Sequence, residues 1–290
     1  MSSSSSIDAG ELFTVKGLIA VVTGGGTGIG LMISQALEAN GAIVYIIGRR
    51  KEVLEEAAAT AKHGNIRTIQ GDVTSKADLA RAAEQVKANH GYVNVVVANS
   101  GVSGPSLAGL PPNPSLAAFR DHLWNWDPAE FNKSYEVNTT ALFYTLVAFL
   151  ELLGEGNTRG SGGPTSPKSQ FIAVSSMGAY NRVPASGYAY GSSKAAVVHM
   201  MKQLATALVP YDIRANVIAP GLYPSEMTPH LVEKGNKDGW SKQFIPAQRA
   251  GDAQDMAGVV LFLTSRAGAY INGNVLLTDG GRLSITPSTY

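Results

Sequence analysis

The 290-residue chain contains no cysteine. Disulfide bridges, thiolate metal centres and a cysteine nucleophile are therefore excluded, and a reducing compartment fits. Charge is scarce as well. Charged residues make up 16%, and 23 basic against 22 acidic side chains leave a net charge of +1. A nucleic-acid surface is not expected from that balance, because phosphate binding rests largely on Lys and Arg. The longest basic run is residues 49–51. The five histidines (63, 90, 122, 199 and 230) show no metal-ligand spacing. Neither H-E-x-x-H nor G-x-S-x-G occurs, which argues against a zinc hydrolase and a serine-hydrolase elbow. Apolar runs are strand-sized, so no transmembrane span is expected. The opening Met-Ser-Ser-Ser-Ser-Ser has neither a basic nor an apolar signal-peptide region, and the closing Ser-Thr-Tyr is not a peroxisomal address. A cytoplasmic location is the expectation, with residues 1–16 a disordered or loosely attached tail and 284–290 a second tail.

What the chain does have is apolar residues, 44% of the total, enough for a sizeable core. Strand-like β-branched runs at 18–23, 42–47, 66–70, 93–99, 170–175, 213–219 and 274–278 alternate with helical patterns at 29–40, 51–62, 75–89, 127–153, 190–208 and 252–264. Runs that are apolar on both faces, separated by helices, predict a doubly wound parallel sheet of seven strands, a Rossmann-type α/β fold in one domain over 17–283. Asp127 followed by Pro128 and Glu130 marks a helix start. Residues 154–169 read as a flexible surface loop and 222–250 as an irregular lid. The stretch 101–126 is long for a connection, and its aromatic residues suit either the wall of a substrate pocket or simple packing.

Between the first strand and first helix lies Thr23-Gly24-Gly25-Gly26-Thr27-Gly28-Ile29-Gly30. Glycines allow tight turning and close backbone approach, and a helix N-terminus offers free N–H groups to a diphosphate. The spacing is T-G-x-x-x-G-x-G, neither G-x-G-x-x-G nor a P-loop. At the end of the second strand, where an acidic residue would hold an adenosine ribose 2′-hydroxyl, stand Gly48, Arg49 and Arg50. Arginine binds a 2′-phosphate well, so NADP(H) is expected over NAD(H), with Arg49 as its contact. Farther on, Tyr190 and Lys194 are four residues apart, on one helical face. Ser175 and Ser176 end the strand before them.

With these segments in order, the sequence resembles the short-chain dehydrogenase/reductase family over about residues 17–283. The supporting motifs are TGGGTGIG at 23–30, GDV at 71–73, ANSG at 98–101, VN at 137–138, SS at 175–176, YGSSK at 190–194, APG at 219–221 and DGG at 279–281. The last third looks most like 3-oxoacyl reductases, including the rhamnolipid-pathway kind. The resemblance implies Tyr190 as catalytic acid, Lys194 as its partner and ribose contact, Ser176 as the bond to the substrate oxygen, and Asn138 as support of a water-linked proton relay. Lys194 is expected to lower the Tyr190 pKa. The resemblance also implies cofactor contacts from Thr23, Gly24, Gly28, Ile29, Gly30, Asp72, Val73, Asn99, Pro220, Gly221, Tyr223 and Ser225.

Ser176 stands one residue farther from Tyr190 than the pattern expects, so Ser175 remains the alternative. Ala98 replaces a polar residue. The implied activity is NADPH-dependent reduction of a ketone or β-ketoacyl-like carbonyl. The alternatives are a non-redox role (epimerisation, dehydration or cyclisation) or regulation. A homo-oligomer, dimer or tetramer, is expected through the helices near 128–153 and 190–208. Tyr180, Tyr188, Trp124, Trp126 and Tyr223 suggest a bulky or aromatic substrate pocket, with Phe119 also in the inserted stretch.

Overall fold

Both faces of the central strands are apolar, and both are buried. A computed structural model describes residues 7–159, 167–184 and 186–290. Its seven strands are β1 (Ile19–Thr23), β2 (Ile43–Gly48), β3 (Ile66–Gln70), β4 (Val95–Ala98), β5 (Gln170–Val174), β6 (Arg214–Pro220) and β7 (Val275–Thr278). They form one parallel sheet in the order β3-β2-β1-β4-β5-β6-β7. Alternate residues feed two cores. Val21, Tyr45, Val96 and Phe171 face one side, and Ala20, Val22, Val44, Ile46, Val97 and Ile172 face the other. This is the Rossmann-type architecture expected from the sequence.

The helices are α1 (Ala9–Leu12), α2 (Gly28–Ala39), α3 (Lys51–Ala59), α4 (Lys76–His90), α5 (Leu116–Trp124), α6 (Pro128–Tyr135), α7 (Ala141–Arg159), α8 (Tyr188–Ala207), α9 (Pro229–Asp238) and α10 (Ala253–Thr264). Local chemistry sets several boundaries. Ser75 caps α4 by accepting from the Asp78 N–H, and Gly91 ends it at φ +79°. Asp127 caps α6 with Pro128 in the first turn. Asp252 and Asp255 form a reciprocal capping box on α10.

Four expectations change. First, residues 7–16 are not loose: α1 is capped by Asp8, and Val15 is buried, while residues 1–6 lie outside the described residues. Second, the helix expected over 127–153 is interrupted by a π turn, Glu136–Thr140, and resumes as α7 to Arg159. Third, the proposed loop at 154–169 therefore begins as helix, and 160–166 lie outside the described residues. Gly156 is there for packing, because a Cβ would strike the Val93 carbonyl. Fourth, the 128–159 stretch reaches the length and hydropathy of a membrane span. Its apolarity has a different use, since Leu142, Leu146, Phe149 and Leu153 pack against the sheet core.

Candidate active site

The strand order reverses between β1 and β4, and a crevice forms outside the carboxyl ends of such strands. Thr23 pairs with Ala98 at that point. The Thr23 hydroxyl accepts the Asn99 and Ser100 N–H groups at 3.0 and 3.2 Å, and the Asn99 amide donates to the Thr23 and Gly24 carbonyls. The turn is thereby pinned to the strand beside it. Gly24 and Gly28 have φ of +64° and +51°, which L side chains rarely adopt. A Cβ on Gly30 would collide with the Gly24 carbonyl and lie 2.5 Å from Asn99 Nδ2. Thr27 makes no side-chain cap, so α2 opens the cradle with its first N–H groups presented by Gly28, Ile29 and Gly30. A diphosphate fits such a cradle.

Arg49 and Arg50 leave the end of β2 exposed to solvent. Among the described residues Arg50 pairs with Glu226, and Arg49 is in no ion pair. Asp72 follows β3. Burial works to raise its pKa, but bonds from the Thr74 N–H and hydroxyl and the charge of Arg49 outweigh that and lower it. Val73 is buried beside Leu79 and Ala141. The 3.1 Å approach of Ser225 Cβ to the position of a Cβ on Gly28 brings the segment after β6 against the cradle. Gly221 closes on Asp279, where a Cβ would lie 2.6 Å from the Asp279 Cα. Pro220 ends β6.

The Tyr223 side chain turns away from the cradle. It is buried, and its hydroxyl bonds the Thr278 hydroxyl at 2.6 Å. It faces the α10 core and a cavity of about 60 Å³ lined also by Arg249, Asp255 and Asp279, not the cradle. An aromatic side chain next to Leu222 satisfied its hydroxyl inside the fold, which spacing alone did not reveal.

At the carboxyl end of β5, Ser175 and Ser176 diverge. The Ser175 hydroxyl donates to the Lys194 carbonyl at 2.9 Å and is buried. The Ser176 hydroxyl accepts the Gly178 N–H at 2.9 Å and lies with the Tyr190 ring around Gly178, each 3.3 Å from where a Cβ would stand there. Tyr190 and Lys194 share the first turns of α8, with Lys194 Nζ 5.9 Å from the Tyr190 ring centre. Nζ donates to the Val174 carbonyl at 2.9 Å. Burial pushes the Lys194 ammonium down to about 8. Burial also raises the Tyr190 phenol, and the Ser176 hydroxyl offsets part of that rise. The expected lowering of Tyr190 by Lys194 is therefore corrected: desolvation prevails, and the phenol is protonated at neutral pH.

Asn138 lies in the π turn, a feature that side-chain patterning did not signal. Such turns concentrate at functional sites. Its Oδ1 accepts the Val102 N–H at 2.8 Å, and its Nδ2 donates to the Val102 carbonyl and the Ser193 hydroxyl. The side chain thus ties the loop after β4 to α8 and is fully engaged in doing so. Gly101 sits between Asn138 and Lys194, where a Cβ would lie 3.1 and 3.3 Å from their polar atoms.

The inserted aromatics divide. Trp124 is 75% exposed, with Arg120 over its ring, and Phe119 belongs to α5, which buries no residue. Trp126 packs between His122 and Tyr188. Gly187 receives the insertion, since a Cβ there would strike the Pro105 carbonyl.

A family model described as Enoyl-(Acyl carrier protein) reductase matches residues 24–282. The short-chain dehydrogenase/reductase PhomF of Diaporthe leptostromiformis is 51% identical, covering 98% of both chains. The chain belongs to the short-chain dehydrogenase/reductase family. This family member is also similar to the rhamnolipids biosynthesis 3-oxoacyl-acyl-carrier-protein reductase of Pseudomonas aeruginosa, 33% identical over 93% of the chain and 97% of the relative. The solved Pseudomonas aeruginosa RhlG/NADP active-site complex superposes with a TM-score of 0.77 at 32% identity, over 93% of this chain and 98% of that one.

Proposed function

We propose that this dehydrogenase/reductase uses NADPH to reduce a ketone or β-ketoacyl-like carbonyl to a secondary alcohol. The observation that carries the reading is the convergence of the Ser176 and Tyr190 hydroxyls beside the Lys194 ammonium, on the rim of the glycine cradle. When bound, a nicotinamide dinucleotide supplies the hydride. Thr23, Gly24, Gly28, Ile29 and Gly30 would hold its diphosphate, Asp72, Val73 and Asn99 its adenine side and the strand edge, and Pro220, Gly221 and Ser225 its nicotinamide end. No acidic residue stands at the end of β2, and Arg49 is the guanidinium available there for a 2′-phosphate.

The chain's own groups then divide the work. Ser176 donates to the carbonyl oxygen and orients it. Tyr190 gives that oxygen its proton, a task suited to a phenol that burial keeps protonated. The Lys194 ammonium stabilises the phenolate left behind and would hold the nicotinamide ribose. Asn138 positions the loop after β4 against α8, and re-protonation of Tyr190 passes to solvent along that side. Ser175 is committed to the Lys194 carbonyl, which favours Ser176 as the working serine. Exposed Phe143 and Val147 on α7 support a homo-oligomer through that helix.

The test is consumption of NADPH against a panel of ketones and 3-oxoacyl thioesters, with Tyr190→Phe alongside. The wild type should oxidise NADPH, and the variant should lose about 10²–10⁴-fold in kcat while binding cofactor normally. Full activity in Tyr190→Phe removes it as the acid. Substrate conversion without net change in nicotinamide would favour epimerisation, dehydration or cyclisation.

A further inference from the structure

The connection between β5 and α8 begins at Ser176 and ends near Tyr190. Both of its ends carry hydroxyls of the site, so the connection rims the place where a carbonyl would sit. Gly178 confirms how close it runs: a Cβ there would lie 3.3 Å from both Ser176 Oγ and Tyr190 Cε1. Two residues on, Tyr180 is half-buried.

The chain after β7 returns to this rim. The Arg182 N–H donates to the Pro287 carbonyl at 2.8 Å, and the Thr289 N–H donates to the Tyr180 carbonyl at 2.9 Å. Asn181 and Ser288 form an antiparallel bridge. These bonds set the Tyr290 ring edge-on to Tyr180, with ring centres 4.9 Å apart at 80°. Burial, with Tyr290 beside it, raises the Tyr180 phenol. The same segment reaches the opposite wall. Arg282 bonds the Phe244 carbonyl at 2.5 Å and lies 3.9 Å over the Phe244 ring, in the stretch between β6 and α10. Residues 282–290 therefore tie the connection between β5 and α8 to the stretch between β6 and α10.

We propose that Tyr180 and Tyr290 form an aromatic wall of the substrate pocket and select carbonyl compounds whose body is a flat ring over those with a flexible alkyl chain. This rests on the reductase reading for the position of the carbonyl. An edge-to-face tyrosine pair offers rigid apolar surface to a ring at low entropic cost. Tyr290 remains 64% exposed, so part of that surface is accessible.

The experiment measures binding of acetophenone and 2-octanone, which have equal carbon counts, by calorimetry to protein loaded with NADP⁺. Wild type, Tyr290→Ala and Tyr290→Phe are compared, with thermal unfolding of each. The expected result is tighter acetophenone binding by the wild type, weakened about fivefold in Tyr290→Ala and retained in Tyr290→Phe, with 2-octanone changed less than about twofold. Equal loss for both ketones, no ring preference in the wild type, or an unaltered preference in Tyr290→Ala overturns the wall. Turnover is read separately with NADPH. The expected binding pattern without NADPH oxidation would defeat the reductase reading and leave the aromatic wall standing.

Discussion

The Arg50 guanidinium reaches both carboxylate oxygens of Glu226, at 2.8 and 3.0 Å, and joins the end of β2 to the segment that follows β6. Ser225, next to Glu226, lies against Gly28 of the cradle. The pair thus bridges the end of β2 to the segment beside the cradle, and we expect it to slow the entry of a cofactor. Both side chains are more than half exposed, so the pair contributes little to stability, within about 1 kcal/mol. We predict that Glu226→Gln speeds NADPH association several-fold and leaves the unfolding free energy nearly unchanged. Stopped-flow fluorescence checks this; an unaltered association rate would remove the pair as a barrier.

Arg49 carries the cofactor choice. Its replacement by alanine should weaken NADPH by about tenfold, roughly 1.4 kcal/mol, and NADH by less than twofold. Parallel titrations with both nucleotides decide it. Equal losses would mean that the guanidinium serves the fold or the adenine and not a 2′-phosphate.

Lys194 links the site to stability. Its folded pKa of about 8 is below its ordinary 10.5. Between those values the unfolded chain binds the proton and the folded chain does not, so stability rises with pH there. Below about 8 the folded protein bears the full cost of a buried ammonium. Lys194→Met should therefore be more stable than the wild type at pH 7, and the gap should shrink as pH rises toward 10. Denaturant unfolding of both proteins at pH 7, 9 and 10 measures the difference. A gap that is constant with pH is incompatible with a depressed Lys194.

Gly30 tests the cradle. Alanine there would place a Cβ against the Gly24 carbonyl and the Asn99 amide, so backbone must shift. Overpacking of this kind costs about 1–3 kcal/mol. Gly30→Ala should also weaken both nucleotides together by tenfold or more, in contrast to Arg49→Ala. A folded variant with wild-type affinity for both would show that the diphosphate does not lie at this turn.

The strand–helix alternation, the glycine turn, the two arginines after β2 and the Tyr190–Lys194 spacing were legible because each depends on near neighbours in sequence. Ser175 and Ser176 could not be ranked that way. They are adjacent, and only the Lys194 carbonyl, on another element, distinguishes them. The inward turn of the Tyr223 side chain was hidden for a related reason: its partner is Thr278, on β7. Trp124 looked like a pocket residue by type, yet α5 presents it to solvent. The π turn at Asn138 was hidden because its side-chain pattern resembles that of an ordinary helix.

Local chemistry alone determined that this protein would build a parallel α/β sheet, with a phosphate-sized glycine turn and a tyrosine and lysine on one helical face. β-branched runs and glycine positions act over a few residues, and periodicity reports them directly. The tertiary structure decided which serine meets Tyr190, that burial keeps the phenol protonated, that Glu226 closes on Arg50, and that Tyr290 returns to Tyr180. Those outcomes rest on desolvation and on contacts between residues up to 176 positions apart, and such terms exist only once the chain has packed.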